Sequence, residues 1–269
     1  SPAEAGATWF EGGNPEWGGA MNRIPNATSK GRRVKMGVII PTVNTVTEPE
    51  FNAMRPEGVT VHVTRMPIHF HPEEDGFKGL MEDLEIRLNE FALFAADVVA
   101  YNCTVGSMAC PPEMLVNKLE SVSGSPGVTT AGSVIQALKA LEADRISLAT
   151  PYPDATNEHE KEFLERSGIK VLKMAGMSFD AVEPELGRKF AEVPEEEIYR
   201  HALSVDHPDA KALFLSCANF PTAALTQQIE NTLGKPVITS NTATFWAGLR
   251  KAGITDNIEG FGSLFSISP

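Results

Sequence analysis

The sequence predicts an α/β protein of two pseudo-symmetric, Rossmann-like lobes with parallel sheets and a site in the cleft between them. Three observations predict it. Short β-branched runs alternate with helical patterns along the body. The series then restarts near residue 145, so that Pro41 and Pro151 (110 apart), Cys103 and Cys217 (114 apart) and Val128 and Val237 (109 apart) recur in the same order. Each cysteine, in DVVAYNCTVGS and KALFLSCANFPT, stands where a buried strand should end. Open α/β sheets bind ligands beyond the carboxyl ends of their strands, and both prolines and both cysteines fall there.

The elements follow in order. Residues 1–33 are rich in Gly, Pro, Asn and Ser, without periodicity, and read as a partly flexible extension. Trp9, Phe10 and Trp17 argue that part of it docks on the body or on a second subunit. VKMGVII, ended by Pro41, is a buried parallel strand, and the alternating VTVHVT at 59–64 a second. Residues 80–95 have helical spacing, 97–101 are strand, 113–122 helix, 127–130 strand and 131–141 helix. The second series runs strand 145–149, helix 156–166, strand 169–173, helix 195–203, strand 212–215, helix 223–233, strand 236–239 and helix 244–252. The first lobe is expected to span 34–143, completed by 240–269, and the second 144–239.

Composition narrows the function. The 269 residues are 42% hydrophobic, enough for a large core. A net charge of −12 with no Lys/Arg-rich stripe makes nucleic acid an unexpected partner. No apolar run reaches the ~20 residues that span a bilayer, and residues 1–33 hold no apolar core of signal-peptide type. Three cysteines are too few for a disulfide scaffold and no CxxC occurs, so the reading is a reduced, cytoplasmic protein without a structural zinc. No dinucleotide, P-loop or nucleophile-elbow motif is present.

The cysteines carry the chemistry. Free cysteine is commonly a buried, inert packing residue, but each of these ends a strand and precedes small or polar residues and then a helix. A helix start lowers a thiol pKa and offers N–H groups to an anion. Cys110 has no counterpart in the second half and reads as structural. Asn44, Thr104, Tyr152 and Asn219 are neutral hydrogen-bonding groups at strand ends, suited to a carboxylate or an enolate-like oxygen, although turn chemistry alone favours Asn and Thr there. His69-Phe70-His71 has no third ligand nearby and reads as surface loop rather than metal site. Asn26-Ala27-Thr28 is a chance glycosylation sequon.

GVIIPTVNT, DVVAYNCTVGS, ISLATPYPDATNEHEKEFL, LFLSCANFPT and PVITSNTATFWAGLRKAGI together resemble the aspartate/glutamate racemase superfamily, most of all the branch of maleate cis-trans isomerases and arylmalonate decarboxylases. The resemblance covers about residues 34–265. It implies an enzyme without cofactor or metal, acting on a small carboxylate and self-associating. It implies that Cys103 and Cys217 are the two catalytic thiols. Asn44 and Tyr152 would hold a carboxylate or enediolate, and Thr104 and the N–H of Ala218 would add to the same pocket; Pro41 and Asn219 join them as candidates for substrate contact from their places at the strand ends. Arylmalonate decarboxylases share TPYPDATNE and GFGSLF but have glycine in place of the first cysteine. The chain departs from maleate isomerases at VEPELGR, where Glu183 replaces an asparagine.

Three readings follow. In a two-thiol isomerase, Cys103 adds to a double bond and Cys217 moves the proton, or both thiols act as acid and base at one carbon. In a decarboxylase, Cys217 alone protonates an enediolate. In a sensor, two lobes close on a dicarboxylate without turnover.

Overall fold

The computed structural model describes residues 30–267 except residue 70. Trp9, Phe10, Trp17 and the sequon at Asn26 lie outside the described residues. The strands are β1 (Val34–Pro41), β2 (Val59–Met66), β3 (Val98–Tyr101), β4 (Gly127–Thr129), β5 (Arg145–Thr150), β6 (Lys170–Gly176), β7 (Ala212–Leu215) and β8 (Val237–Thr239). They form two parallel four-stranded sheets, ordered β2-β1-β3-β4 and β6-β5-β7-β8. The identical order in the two halves is the duplication read from the prolines and cysteines. β3 and β7 are four-residue strands buried on both faces, which is why each reads as an unbroken apolar run.

The helices are α1 (Thr47–Met54), α2 (Lys78–Leu93), α3 (Thr104–Ala109), α4 (Pro112–Ser123), α5 (Thr130–Ala140), α6 (Asp154–Arg166), α7 (Glu185–Ala191), α8 (Glu195–Ser204), α9 (Thr226–Leu233) and α10 (Ser240–Lys251). Short 3-10 turns cover Pro72–Asp75, Ala223–Leu225 and Ser263–Ser266. α1, α3 and α7 are absent from the sequence reading. They are six to eight residues long, too short to show a helical period.

α5 and α10 pack on each other between the sheets, and α10 also lies against β3 and β4 of the first half. One core therefore crosses the molecule, joining Met36, Val38, Val98 and Ala100 of the first sheet to Ile146, Leu148, Ala212 and Phe214 of the second through Phe245 and Trp246. Burying the valine, leucine, isoleucine, methionine and phenylalanine side chains among these contributes about 1.5–3 kcal/mol each. α10 starts at Ser240, earlier than expected, because Thr239 and Thr242 form a reciprocal capping box. Its first turn, Ser240-Asn241-Thr242, is polar yet wholly buried. No helix among the described residues is long and apolar enough to cross a membrane.

Candidate active site

Each cysteine sits two residues beyond the end of its strand, Cys103 after β3 and Cys217 after β7. Both open on one cavity of about 280 Å³ between the halves. The cavity collects the eight residues expected to catalyse or bind: Pro41, Asn44, Cys103, Thr104, Tyr152, Cys217, Ala218 and Asn219 all line it. Its remaining wall is largely apolar, with Val43, Met66, Ile68, Val105, Leu186 and Phe190.

The polar groups cross-link the halves. Thr104 Oγ1 donates to Ser240 Oγ (2.9 Å) and accepts from the Ala218 N–H (3.2 Å). The Cys217 N–H also reaches Ser240 Oγ (3.0 Å). Asn44 Oδ1 accepts from the N–H groups of Val46 and Thr47, while its Nδ2 donates to Thr47 Oγ1 and to the Ala218 carbonyl. Asn219 Oδ1 accepts from the Thr45 N–H (3.0 Å), and its Nδ2 donates to the Gly187 carbonyl (2.7 Å). Asn44, Thr104 and Ala218 N–H are thus satisfied by the protein itself. An anion in the cavity would engage them only by exchanging partners, a swap favoured because hydrogen bonds to an anion are the stronger kind.

Each thiol has a tyrosine hydroxyl and a backbone N–H. Cys103 Sγ takes the hydroxyl of Tyr101 and the N–H of Gly106. Cys217 Sγ takes the hydroxyl of Tyr152 and the N–H of Asn219, the latter at 3.4 Å. Tyr152 is held by Asn157, whose Nδ2 donates to the Tyr152 carbonyl (2.9 Å), and by an edge-on contact with Phe190. Gly176 leaves room for this loop, since a Cβ there would lie 2.0 Å from the Tyr152 carbonyl oxygen.

The structure corrects the expected thiol electrostatics. Burial pushes Cys103 up, against the opposing pull of the Gly106 N–H and Tyr101 hydroxyl. Burial pushes Cys217 up to about 12, and the neighbouring Cys103 and Glu160 add to the rise. Cys103 does cap a helix, α3, but Cys217 is followed by a turn, so a helix start serves only one of them. Cys217 also has a φ of 95°, a strained conformation for a residue with a side chain. Cys110 is buried against α4, as expected of a packing residue, with its sulfur 3.7 Å from that of Met114.

Several lining residues escaped the sequence. Tyr101 reads there only as the last residue of a strand. His69, read as surface, lines the cavity with its Nε2 2.8 Å from Asp83 Oδ2. Leu186, Gly187 and Phe190 come from α7, a helix the pattern did not reveal. Glu183, noted as a departure, reaches the cavity from an exposed position. No cluster of His, Cys, Asp and Glu suited to a metal occurs among the described residues.

Comparison with known proteins agrees with this geometry. The arylmalonate decarboxylase family model matches residues 36–265. A maleate isomerase of Nocardia farcinica is 28% identical over 243 residues, covering 86% of this chain and 94% of that protein. The arylmalonate decarboxylase of Bordetella bronchiseptica is 28% identical over 151 residues, 56% of this chain and 62% of its own. Among solved structures, a maleate isomerase variant from Pseudomonas putida S16 with maleate superposes with a TM-score of 0.78 at 25% identity, over 87% of this chain and 97% of its own. A Nocardia farcinica maleate cis-trans isomerase mutant with a covalently bound succinylcysteine intermediate gives 0.75 at 25%, over 86% and 98%. The chain belongs to the arylmalonate decarboxylase family, and its kinship with maleate isomerases over most of its length places it among that family's isomerases.

Proposed function

We propose that this isomerase interconverts the cis and trans forms of a small unsaturated dicarboxylate of the maleate type, using one thiol from each half of the molecule. The observation that carries the reading is that Cys103 and Cys217, 114 residues apart, open on the same small cavity. The Cys103 thiolate adds to one carbon of the double bond, forming a C–S bond and leaving an enediolate on the other side. The Tyr152 hydroxyl and the Thr104 and Ala218 donors stabilise the enediolate oxygens. Cys217 gives its proton to the adjacent carbon, the former double bond rotates as a single bond, and the Cys217 thiolate takes a proton back. The C–S bond breaks, the trans double bond forms and the Cys103 thiolate is restored. No atom is gained or lost, and every step uses side chains of this chain.

The raised thiols fit these roles unequally. A Cys217 pushed up to about 12 is a proton donor at neutral pH. Cys103, also raised, must ionise to add, and its sulfur has the Tyr101 hydroxyl and Gly106 N–H to receive the charge. A reducing, cytoplasmic setting belongs to the same reading, because the thiols act only while reduced; self-association is carried into it from the family resemblance alone.

Incubation with maleate in deuterated buffer tests it. The trans product should form, and Cys103→Ser and Cys217→Ser should each lower turnover by about 10²–10⁴, the range of a lost acid–base group. Full activity in Cys103→Ser would sink the addition step. Carbon dioxide release from an arylmalonate by the wild type, undiminished in Cys103→Gly, would favour decarboxylation by Cys217 alone.

A further inference from the structure

Glu160 is a fully buried carboxyl with no part in the mechanism above. It projects from α6, three residues after Asn157, which holds the Tyr152 loop. Its Oε1 accepts from Ser216 Oγ at 2.5 Å, and Ser216 directly precedes Cys217. Its Oε2 is buried without a hydrogen-bond partner among the described residues. A buried carboxyl satisfied on one oxygen only is costly, and such groups concentrate at functional sites.

The duplication shows what is particular about it. Asn102 before Cys103 corresponds to Ser216 before Cys217, and each meets a residue of the helix that follows its half's first strand, Thr47 on α1 and Glu160 on α6. The same contact exists in both halves. Asn102 Nδ2 donates to Thr47 Oγ1 at 2.8 Å in the first, and Ser216 Oγ donates to Glu160 Oε1 in the second. The pair behind Cys103 contains no ionisable group and is joined to a carboxyl, Glu50, through Asn241, whereas the pair behind Cys217 contains a carboxyl itself.

We propose that Glu160 is the positioning residue that tells the two thiols apart: its carboxylate, hydrogen-bonded to Ser216 behind Cys217, keeps the proton on Cys217 and leaves Cys103 as the thiol that ionises. A negative charge in a low-dielectric interior disfavours a second one nearby. Burial lifts Glu160 to about 7, so it gains its charge across neutrality. Burial is the main cause of the raised Cys217, and the charge of Glu160 adds to it after that of Cys103; it also adds to the rise at Tyr152. Of the other elements against α6, α3 has no charged side chain, and on β6 both Lys170 and Lys173 are exposed, with Lys173 Nζ directed to the Asp206 carbonyl. His201 of α8 meets the carbonyl of Thr150, whose hydroxyl bonds Asn157, and burial holds this imidazole below its usual range, so it brings no charge near neutrality.

The inference rests on the two-thiol reading, but its test needs no substrate and is decided separately from isomerase activity. The full chain is alkylated with iodoacetamide between pH 6 and 8, and the peptides carrying Cys103 and Cys217 are quantified by mass spectrometry. Thiolate below its pKa rises about tenfold per pH unit. In the wild type Cys103 should show that slope, while Cys217 should gain only about tenfold over the two units as Glu160 ionises. In Glu160→Gln, Cys217 labelling at pH 8 should rise about tenfold with Cys103 within twofold, and Glu160→Asp should restore the wild-type ratio. A full hundredfold gain at Cys217 in the wild type would overturn the proposal without any variant. So would an unchanged ratio in Glu160→Gln, or an equal gain at both thiols, which signals a loosened fold.

Discussion

The strand end at Cys103 and the strand end at Cys217 occupy the same place in two copies of one topology, yet they are built differently. Cys103 has an ordinary extended backbone, with φ −138° and ψ 112°, and caps a helix. Cys217 has a φ of 95° and leads into a turn. Tyr101 reaches its sulfur from the same strand, two residues earlier, whereas Tyr152 comes from the loop after the neighbouring strand β5. In the first half Thr42 stands at the position of Tyr152, and its hydroxyl is directed to the Met66 carbonyl. In the second half Leu215 stands at the position of Tyr101. Duplication thus supplies two equivalent places for a thiol, and divergence around them gives the thiols unlike surroundings. Two sulfurs in identical surroundings could exchange roles; unlike surroundings are what the proposed division of labour between Cys103 and Cys217 requires.

That asymmetry can be broken at the hydroxyls first. A hydroxyl that donates to a sulfur favours the thiolate, so its loss raises the thiol further. Wild-type kcat/KM should climb with pH from neutrality into the alkaline range as the raised Cys103 ionises. Tyr101→Phe should lower it about 10–100-fold at neutral pH and move that climb to higher pH. Tyr152→Phe should cause a similar loss through the enediolate and leave the climb in place. Identical pH profiles for the two variants would mean that the hydroxyls do not distinguish the thiols.

A smaller effect is expected from Gly106. A Cβ there would lie 2.4 Å from Tyr101 Oη and 3.0 Å from Cys103 Sγ. Gly106→Ala should cost about tenfold in turnover, because displaced catalytic geometry is penalised steeply. Alkylation of Cys217 should stay as in the wild type; a change there would show that the two ends are mechanically coupled.

The smallest effect is on stability. At Cys217 the positive φ should make the glycine variant more stable than the alanine variant by about 1 kcal/mol. At Cys103 the order should reverse, since glycine gains nothing from an extended backbone and loses more entropy. Thermal unfolding of the four variants checks both, and the same order at both sites would remove backbone strain from the comparison.

The legible part of this site was the part written locally. Pro41, Pro151 and the two cysteines mark strand ends because a short apolar run must stop where a parallel strand stops. Asn44, Thr104, Tyr152, Ala218 and Asn219 sit within a few residues of those marks, and all of them line the cavity. Tyr101 was hidden because an aromatic at the end of a buried strand is indistinguishable from core. His69 and Phe190 were hidden because a loop and a seven-residue helix carry no period. Spacing places the start of α10 at Thr244, four residues late, since a run of polar residues shows no apolar period; here the capping box and contacts across the halves satisfy them.

The sequence by itself determined the alternation of strands and helices, the duplication and the positions of the two thiols along it, because each depends on periodicity and spacing within a short segment. Only the tertiary structure decided that both thiols share one cavity and that burial raises rather than lowers them. It also decided that Glu160 stands behind only one of them. Burial and charge at a point depend on every chain segment that arrives there, and segments more than a hundred residues apart meet at this one.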